Sequence, residues 1–200
     1  MNKWGEEYKR KLTTAEEAAK SIRDGDKLFC GSGSMAPTGI LDALFDRAEE
    51  LKDVVFGGLI MLAPTYKILS EEMSRHIKFN NLYATPLDRQ ALHEGISEHT
   101  PFHFSDLPRL ASEYAGYKTV ITQAGPMDRH GYMSCGVSGN FLDVVHTLDR
   151  LIVEVNENVP TVYGRNFWHI SQVETVVEHH APLFPVPPEP VIDVDRAIAE

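Results

Sequence analysis

Short runs of β-forming residues alternate with helix-patterned segments along most of this chain, and the alternation limits the folds it can adopt. The runs are rich in apolar and β-branched residues and end near Gly, Pro or Asp. Strand-like runs separated by helical patterns of about ten residues predict parallel strands joined by crossover helices. The predicted strands span residues 27–30, 54–56, 77–83, 119–123, 150–155 and 175–178. We therefore expect an α/β fold with three layers, α/β/α, around a mostly parallel sheet.

The segments between these runs carry helical signals. Thr14 and Glu17 have the spacing of a capping box, in which the Thr oxygen accepts a hydrogen bond from the first turn. The second helical segment places Ile40, Leu41 and Leu44 on one face, as a helix packed on a sheet requires. Helices are expected over residues 15–23, 38–52, 65–73, 86–94, 106–115 and 140–148.

The last twenty residues differ in kind from the rest. Five prolines fall between Ala181 and Pro190, which disfavours a helix or a central strand and favours a stiff, extended connector. Val194 and Ile198 then begin an amphipathic helix that is too short to be stable alone. We expect an α/β domain over residues 1–180, a Pro-rich linker over 181–192, and over 193–200 the start of a truncated helix leading to an absent second domain.

Charge and composition exclude several classes of partner. The 200 residues carry a formal net charge of -10, which disfavours binding to nucleic acid or an anionic membrane. The charged amino terminus does not resemble a signal peptide, and no apolar run approaches the ~18 residues of a membrane span. Cys30 and Cys135 are too few to staple a secreted domain, so we expect free thiols and a cytoplasmic protein.

A Gly-rich loop follows the first predicted strand. In Gly31-Ser32-Gly33-Ser34, backbone amides near the start of a helix could bind an anion, or the glycines could simply form a tight turn. The loop departs from a dinucleotide fingerprint, because Ala36 replaces the third glycine. The chain also lacks the Gly-Lys-Ser/Thr of a phosphate-binding loop.

Other candidate chemistry is weaker. His93, His99 and His103 are the most closely spaced histidines, but Gly95 and Pro101 interrupt a common helix face, so we expect no metal site. The chain contains no Gly-x-Ser-x-Gly nucleophile motif. The glycine-rich segment 125–140 is more distinctive, because it follows a predicted strand at the position where open α/β sheets place a ligand crevice.

Residues 126–138 read Pro-x-Asp-x-x-Gly-Tyr-x-Ser-x-Gly-Val-Ser, which resembles the signature of the acetyl-CoA hydrolase/transferase family. The pattern is most similar to the branch of 4-hydroxybutyrate and butyryl-CoA:acetate CoA-transferases. Supporting stretches lie at residues 18–26, 89–108 and 154–164, so the resemblance covers essentially the whole chain.

The resemblance implies two similar α/β halves with the fold shared by CoA-transferases and sugar-phosphate isomerases. It also implies ping-pong exchange of CoA between an acyl-CoA and a short-chain carboxylate, through a mixed anhydride and a glutamyl-CoA thioester. The catalytic glutamate and a CoA-binding loop belong to the second half, so this chain is expected to hold no catalytic residue and to be inactive alone. Glu94 belongs to the first-half pattern and is not the nucleophile.

In this half the resemblance implies that the two glycine-rich loops face the carboxylate and acyl end of the substrate. The implied substrate-binding residues are Gly31, Ser32, Gly33, Ser34, Gly125, Pro126, Met127, Gly136, Val137 and Ser138. It further implies no permanently bound cofactor, with coenzyme A or acyl-CoA as substrate, a second-half domain or subunit as partner, and a homo-oligomer. Two alternatives stay open: a non-catalytic ligand-binding or assembly subunit with the same fold, and a nucleotide-dependent oxidoreductase using Gly31-Ser32-Gly33.

Overall fold

The computed structural model describes residues 3–60, 62–86, 88–138, 144, 148–185 and 188–199. Eight parallel strands form the main sheet, and two further strands form an antiparallel pair. The strands are β1 (Leu12–Thr13), β2 (Lys27–Cys30), β3 (Val54–Gly58), β4 (Ile77–Asn81), β5 (Ser97–His99), β6 (Thr119–Ala124), β7 (Tyr132–Ser134), β8 (Arg150–Val155), β9 (Phe167–His169) and β10 (Thr175–Glu178).

The main sheet has the order β1-β10-β8-β6-β2-β3-β4-β5, with β7 and β9 pairing separately. All six strands predicted from the sequence are present, and β2, β8 and β10 have the predicted bounds. The four strands that were not predicted, β1, β5, β7 and β9, contain two or three residues each. Such short strands carry too few residues for a periodic pattern to be visible.

Helices occur between the strands and at both ends of the described chain. The α-helices are α1 (Lys3–Lys11), α2 (Ala15–Lys20), α3 (Thr38–Asp46), α4 (Glu71–Ser74), α5 (Arg89–His93), α6 (Leu107–Arg109) and α7 (Asp193–Ala199). 3-10 helical segments span Gly33–Met35, Ala48–Glu50, Ala63–Leu69, Phe104–Asp106 and Ile170–Gln172, and a π-helical turn spans Leu110–Tyr114.

Several helices are shorter than predicted. The single helix expected over 38–52 ends at Asp46, where Arg47 turns its guanidinium to the carbonyl oxygens of Ala19 and Ile22. The helices expected over 65–73 and 106–115 are each divided into a 3-10 or π turn and a short α-helix. The helix expected over 140–148 lies largely outside the described residues.

Apolar side chains cover both faces of the sheet. On one face Leu28 and Ile152 pack with residues of α2 and α3. On the other, Phe29 and Val153 pack with the segment around α6 and with Trp168 of β9. Successive strand residues point to opposite faces, so a sheet buried on both sides needs nearly continuous apolar strands. The three-layer α/β arrangement predicted from the sequence is confirmed.

The carboxy-terminal segment is only partly separate from this domain. Residues 181–185 form neither helix nor strand and lie against the domain, where the carbonyl oxygens of Ala181 and Phe184 accept hydrogen bonds. All described residues of α7 are exposed. None of the helices in the described ranges is long and apolar enough to cross a membrane.

Candidate functional site

The order of the strands reverses between β2 and β6. From β2 the sheet extends through β3, β4 and β5 on one side, whereas β6, β8 and β10 lie on the other. In open α/β sheets the loops on the two sides of such a reversal diverge beyond the carboxyl ends of the strands and leave a crevice. The β2 loop (residues 31–37) and the β6 loop (residues 125–138) both begin at this reversal. The topology therefore favours ligand binding at the two glycine-rich loops singled out in the sequence.

The β2 loop is held against its neighbours at two glycines. A Cβ atom on Gly31 would lie 2.5 Å from Thr122 Oγ1 and 2.6 Å from the carbonyl oxygen of Met35, so only glycine fits there. Gly33 has φ +60°, a conformation that glycine adopts at little cost. Its N–H donates to the carbonyl of Ile60 (2.8 Å), which ties the loop to the segment after β3.

The two serines of the β2 loop differ in their surroundings. Ser32 is buried and makes no side-chain capping bond to the following 3-10 turn. The hydroxyl of Ser34 donates to the carbonyl oxygen of Phe184 (2.6 Å), so it binds the Pro-rich segment. A cavity of about 260 Å³ lies between the β2 loop, the first turn of α3 and residues 181–184.

Two polar residues of the 126–138 motif shape the β6 loop. Asp128 Oδ1 accepts hydrogen bonds from the backbone N–H of His130 (2.8 Å) and Tyr132 (2.9 Å). Loss of hydration opposes ionisation of the exposed Asp128 carboxyl, but these donors hold its pKa below the usual value. Ser134 Oγ accepts from the N–H of Gly136 (3.2 Å) and of Val162 (3.1 Å). Both side chains organise the backbone of the loop.

The β6 loop meets the β2 loop at Gly136. This residue has φ +58°, and a Cβ atom there would lie 2.9 Å from Met35 Sδ and 2.6 Å from Val159 Cγ1. The next side chain, Val137, is 62% exposed, and Ser138 is half-buried. The segment Gly136-Val137-Ser138 therefore lies beside the β2 loop at the edge of the sheet.

The remaining predicted residues of the β6 loop lie elsewhere. Gly125 is buried behind the loop, where its N–H donates to the carbonyl of Ser134 (2.8 Å). Pro126 and Met127 line a separate cavity of about 360 Å³ together with Tyr8 and other residues. The structure thus brings the β2-loop residues together with 136–138 and separates Pro126 and Met127 from them.

A chain of amide side chains, which the sequence analysis did not identify, connects the loops at the site. Gln123 at the end of β6 donates to the carbonyl of Ala36 in the β2 loop. Its Oε1 accepts from Asn156 Nδ2 (2.9 Å), and the same nitrogen donates to the carbonyl of Ala181 (2.7 Å). The signal in the sequence is one polar amide near the end of β6 and another directly after β8.

Glu154 is a second residue that the sequence analysis missed. It lies on β8 with no exposed surface, and its Oε2 accepts from the backbone N–H of Ile40 (2.8 Å) at the start of α3. Burial raises the pKa of Glu154 to about 8, against the lowering effect of the Ile40 and Gly39 amides. A carboxyl group in this position is unavailable as an exposed nucleophile.

The crevice contains groups for binding and orientation. Its loops contribute backbone N–H groups, serine hydroxyls and the amide chain through Gln123. Neither 31–37 nor 134–138 contains a carboxylate or histidine, and Cys135, within the second segment, is buried. Within the described ranges, no group of three or more His, Cys, Asp or Glu side chains is arranged to hold a metal ion. A nucleophile acting at this crevice would therefore come from outside residues 31–37 and 134–138.

Comparison with known proteins supports the sequence resemblance. Residues 1–188 match the acetyl-CoA hydrolase/transferase N-terminal domain. The butyryl-CoA:acetate CoA-transferase of Anaerostipes caccae is 33% identical over 98% of this chain and 45% of that protein. The succinyl-CoA:cyclohexane-1-carboxylate CoA transferase of Geobacter metallireducens is 31% identical over 96% of this chain and 44% of that protein. The chain spans less than half the length of these relatives.

Solved structures show the same architecture. RipA from Yersinia pestis superposes with a TM-score of 0.91 at 32% identity, over 96% of this chain and 47% of that one. A 4-hydroxybutyrate CoA-transferase from Porphyromonas gingivalis, at 23% identity, shares the fold with a TM-score of 0.77 over 93% of this chain and 43% of that one. Because the N-terminal domain matches almost the whole length, the chain belongs to the acetyl-CoA hydrolase/transferase family.

Proposed function

We propose that this chain is the amino-terminal half of a CoA-transferase that exchanges CoA between an acyl-CoA and a short-chain carboxylate. The observation that carries the proposal is the crevice between the β2 and β6 loops, which offers binding groups but has no carboxylate in either 31–37 or 134–138. The CoA-transferases it resembles are more than twice as long as the aligned part. The proposed nucleophile is accordingly a glutamate in a second half.

Exposed apolar side chains at the same edge of the sheet support a partner there. Ile60, Tyr83, Phe104, Val137, Tyr163 and Phe184 each lie in a segment that follows one of the parallel strands, and their exposure ranges from 38% to 87%. Apolar groups concentrated near one edge mark an interaction surface. In the proposed protein, the second α/β half covers this edge and completes the site.

The proposed reaction proceeds through covalent intermediates. The glutamate carboxylate attacks the thioester carbonyl of an acyl-CoA, the C–S bond breaks, and an acyl-glutamyl anhydride remains beside the CoA thiolate. The thiolate then attacks the glutamyl carbonyl, which releases the first carboxylate and leaves a glutamyl-CoA thioester. A second carboxylate reverses these steps, so a new acyl-CoA leaves and the glutamate is regenerated.

The part proposed for this half is to bind the acyl and carboxylate end of the substrates. Gly31, Ser32, Gly33 and Ser34 and Gly136, Val137 and Ser138 would form the wall that orients the substrate carboxylate. The backbone amides of Ser32, Ser34 and Val137 are the groups that would stabilise oxyanions, because those of Gly31, Gly33, Gly136 and Ser138 already donate within the chain. We propose that Gly125 supports the β6 loop from behind, and that Pro126 and Met127 take part only at the periphery. Coenzyme A is proposed as a substrate and not as a resident cofactor.

We also propose that residues 1–180 form the domain, that 181–192 connect it to the second half, and that 193–200 begin the next helix. The connector would start from a fixed point, because Asn156 and Ser34 bind the carbonyl groups of Ala181 and Phe184. The exposed Val194 and Ile198 of α7 would pack on the second half.

The test is reconstitution. The purified chain is incubated with acetyl-CoA and butyrate, alone and after mixing with the carboxy-terminal half of the Anaerostipes caccae relative or with the polypeptide encoded directly downstream of Glu200. We expect no butyryl-CoA from the chain alone and steady formation after a second half is added. Mass spectrometry of the working mixture should find CoA attached to a glutamate of the second half.

The two contrary outcomes have different meanings. Exchange of CoA by the chain alone would show that the nucleophile lies within these 200 residues. A stable complex that binds acyl-CoA but never forms butyryl-CoA would favour the alternative, a non-catalytic subunit with this fold. An NAD titration of the chain tests the oxidoreductase alternative, and we expect no binding.

A further inference from the structure

Glu154 lies in the sheet directly beside residues of the candidate site. In the parallel register it is the neighbour of Gln123 on β6 and of Val177 on β10. Neighbours in register share a face of the sheet, and Val177 belongs to the core layer that α2 and α3 cover. The Glu154 side chain is therefore directed toward α3, and its exposed surface is 0%.

Glu154 supplies a hydrogen-bond acceptor that α3 lacks locally. The first turn of a helix leaves backbone N–H groups without partners, and a Ser, Thr, Asp or Asn at the N-cap commonly accepts from one of them. The residue at this position in α3 is Pro37, which makes no side-chain capping bond. Glu154 Oε2, on a strand 114 residues further along the chain, accepts from Ile40 N–H instead (2.8 Å).

The side chains of Glu154 and His179 pack tightly against the first turn of α3. A Cβ atom on Gly39 would lie 3.0 Å from Glu154 Oε2 and 2.7 Å from Cγ of the His179 ring. The first turn of α3 is thus pressed against both side chains. A rotation or translation of the helix start would break the Glu154 contact or collide with the ring.

The other oxygen of the carboxyl group makes this capping interaction costly in folding free energy. Glu154 Oε1 is buried and has no hydrogen-bond partner among the residues that the structure describes. Burying an ionisable group with an unpaired oxygen costs free energy that a local Ser or Asp cap would avoid. Residues that depart from the locally most favourable choice, here a Ser or Asp N-cap, concentrate at functional sites.

The β2 loop is the segment that this cap would control. One end of the loop is fixed by the bond from Gly31 N–H to the Ile121 carbonyl (2.8 Å), and its middle by the bond from Gly33 N–H to the Ile60 carbonyl (2.8 Å). The other end is bound by Gln123 at Ala36 and runs directly into α3. The shape of this second end therefore depends on where α3 begins.

We propose that Glu154 is a positioning residue of the candidate site, which fixes the start of α3 and through it the shape of the β2 loop. The importance of that loop for substrates rests on the proposed function, but the positioning itself does not. Glu154 touches no substrate in this scheme and acts only through α3.

The test is NMR spectroscopy of the full chain with three variants. Glu154→Leu removes the acceptor, Glu154→Gln keeps a carbonyl oxygen for Ile40 N–H but cannot ionise, and Ile152→Val is a control on the same strand and face. We expect Glu154→Leu to accelerate hydrogen exchange at the Ile40 amide at least about tenfold, as expected for a lost bond to a buried group. Its β2-loop amide resonances should also shift, whereas both effects should be small in Glu154→Gln and Ile152→Val.

A pH titration provides a readout that a general loss of packing does not. The amide resonances of Gly39 and Ile40 should titrate in the unmodified chain and lose that titration in Glu154→Gln. Other titratable groups near Glu154 are His179 after β10, Asp42 in α3 and Cys30 in β2. The variants His179→Gln, Asp42→Asn and Cys30→Ser are therefore measured as well, and in each the titration should persist.

Two results would overturn the proposal. In the first, the Ile40 amide of Glu154→Leu exchanges at the same rate as in the Ile152→Val control. In the second, exchange at Ile40 becomes faster but the amide resonances of the β2 loop do not shift. If Glu154→Leu does not fold, the Glu154→Gln variant decides: the proposal is overturned if the amide resonances of Gly39 and Ile40 still change with pH in that variant. None of these measurements requires turnover, so a failed reconstitution of transferase activity would count against the proposed function alone.

Discussion

Met35 of the β2 loop packs against Gly136 of the β6 loop, so closely that a Cβ atom on Gly136 would lie 2.9 Å from its sulfur. This contact joins the two glycine-rich loops across the reversal of strand order. Met35 itself has no exposed surface, although both loops lie at the edge of the sheet. The absence of a side chain at Gly136 is therefore a structural requirement of the crevice.

Gly136→Ala should lower the free energy of unfolding by about 2–5 kcal/mol. The φ of +58° costs an alanine about 1–2 kcal/mol, and crowding against Met35 and Val159 adds an overpacking cost of about 1–3 kcal/mol. Urea denaturation measures the loss. Gly33→Ala is the matched control, because Gly33 has φ +60° but nothing within 4 Å of its Cβ position. Equal losses in the two variants would show that the Met35 contact carries no strain.

Asn156→Ala should loosen the start of the Pro-rich segment. The substitution removes the bonds to Gln123 Oε1 (2.9 Å) and to the carbonyl of Ala181 (2.7 Å), and it leaves a buried acceptor unpaired. We expect a loss of about 1–3 kcal/mol in urea denaturation. The heteronuclear NOE of the Leu183 and Phe184 amides should also fall as this segment becomes more mobile.

Asn158→Ala is the control for that loosening. Asn158 is exposed and reaches the same carbonyl of Ala181 at 3.1 Å, so its removal should have a smaller effect on both measurements. If Asn158→Ala proved as damaging as Asn156→Ala, the segment would be held by the carbonyl contact alone and not by the chain through Gln123.

The sequence predicted the parts of the fold whose signals are local. Strand β8 could be predicted with its bounds, because a strand buried on both faces is a nearly continuous run of apolar residues. The two-residue strand β1 could not, because Leu12 and Thr13 become a strand only by pairing with β10. The same distinction between local and long-range interactions separates the parts of the candidate site that the sequence predicts from those that it does not.

The glycine-rich loops were visible because glycine marks a tight turn or a close approach within a few residues of sequence. Gln123 and Glu154 were not, because their partners Asn156 and Ile40 lie 33 and 114 residues away in the chain. A polar residue within a buried strand indicates that its side chain needs a hydrogen-bond partner. It does not indicate which one.

Stability should depend on the ionisation of Glu154. Burial raises its pKa from an ordinary 4.5 to about 8, so the folded chain holds a proton that the unfolded chain releases in this range. Linkage then requires the free energy of unfolding to fall as the pH rises from about 4.5 to about 8 and the effect to level off above that. The slope from this one group is at most about 1.4 kcal/mol per pH unit.

Glu154→Gln isolates this contribution, since glutamine does not titrate. Urea denaturation from pH 5 to pH 9 measures the free energy of unfolding of both proteins. Relative to the unmodified chain, the free energy of unfolding of the variant should increase as the pH rises, and most of this increase should be complete near pH 8. The exposed Glu94→Gln is the control and should follow the unmodified chain. A stability difference that stays constant across this range would mean that Glu154 ionises equally in the folded and unfolded states.

The two cysteines should be unreactive in the folded chain. Burial raises the pKa of Cys30, and the neighbouring Glu154 carboxyl adds to the rise; burial also raises the pKa of Cys135 to about 12. The thiolate is the reactive form, so both thiols should resist iodoacetamide at pH 8 and react once the chain is unfolded in guanidinium. Alkylation followed by mass spectrometry reads out each site separately.

The contrast between the two thiols tests the packing of the site itself. Cys135 lies next to Gly136, so opening of the contact with Met35 should expose Cys135 while Cys30, at the end of β2, stays protected. Gly136→Ala should therefore accelerate alkylation of Cys135 well before it affects Cys30. Simultaneous alkylation of both residues would instead indicate that the variant unfolds globally and that the junction of the two loops has no independent opening.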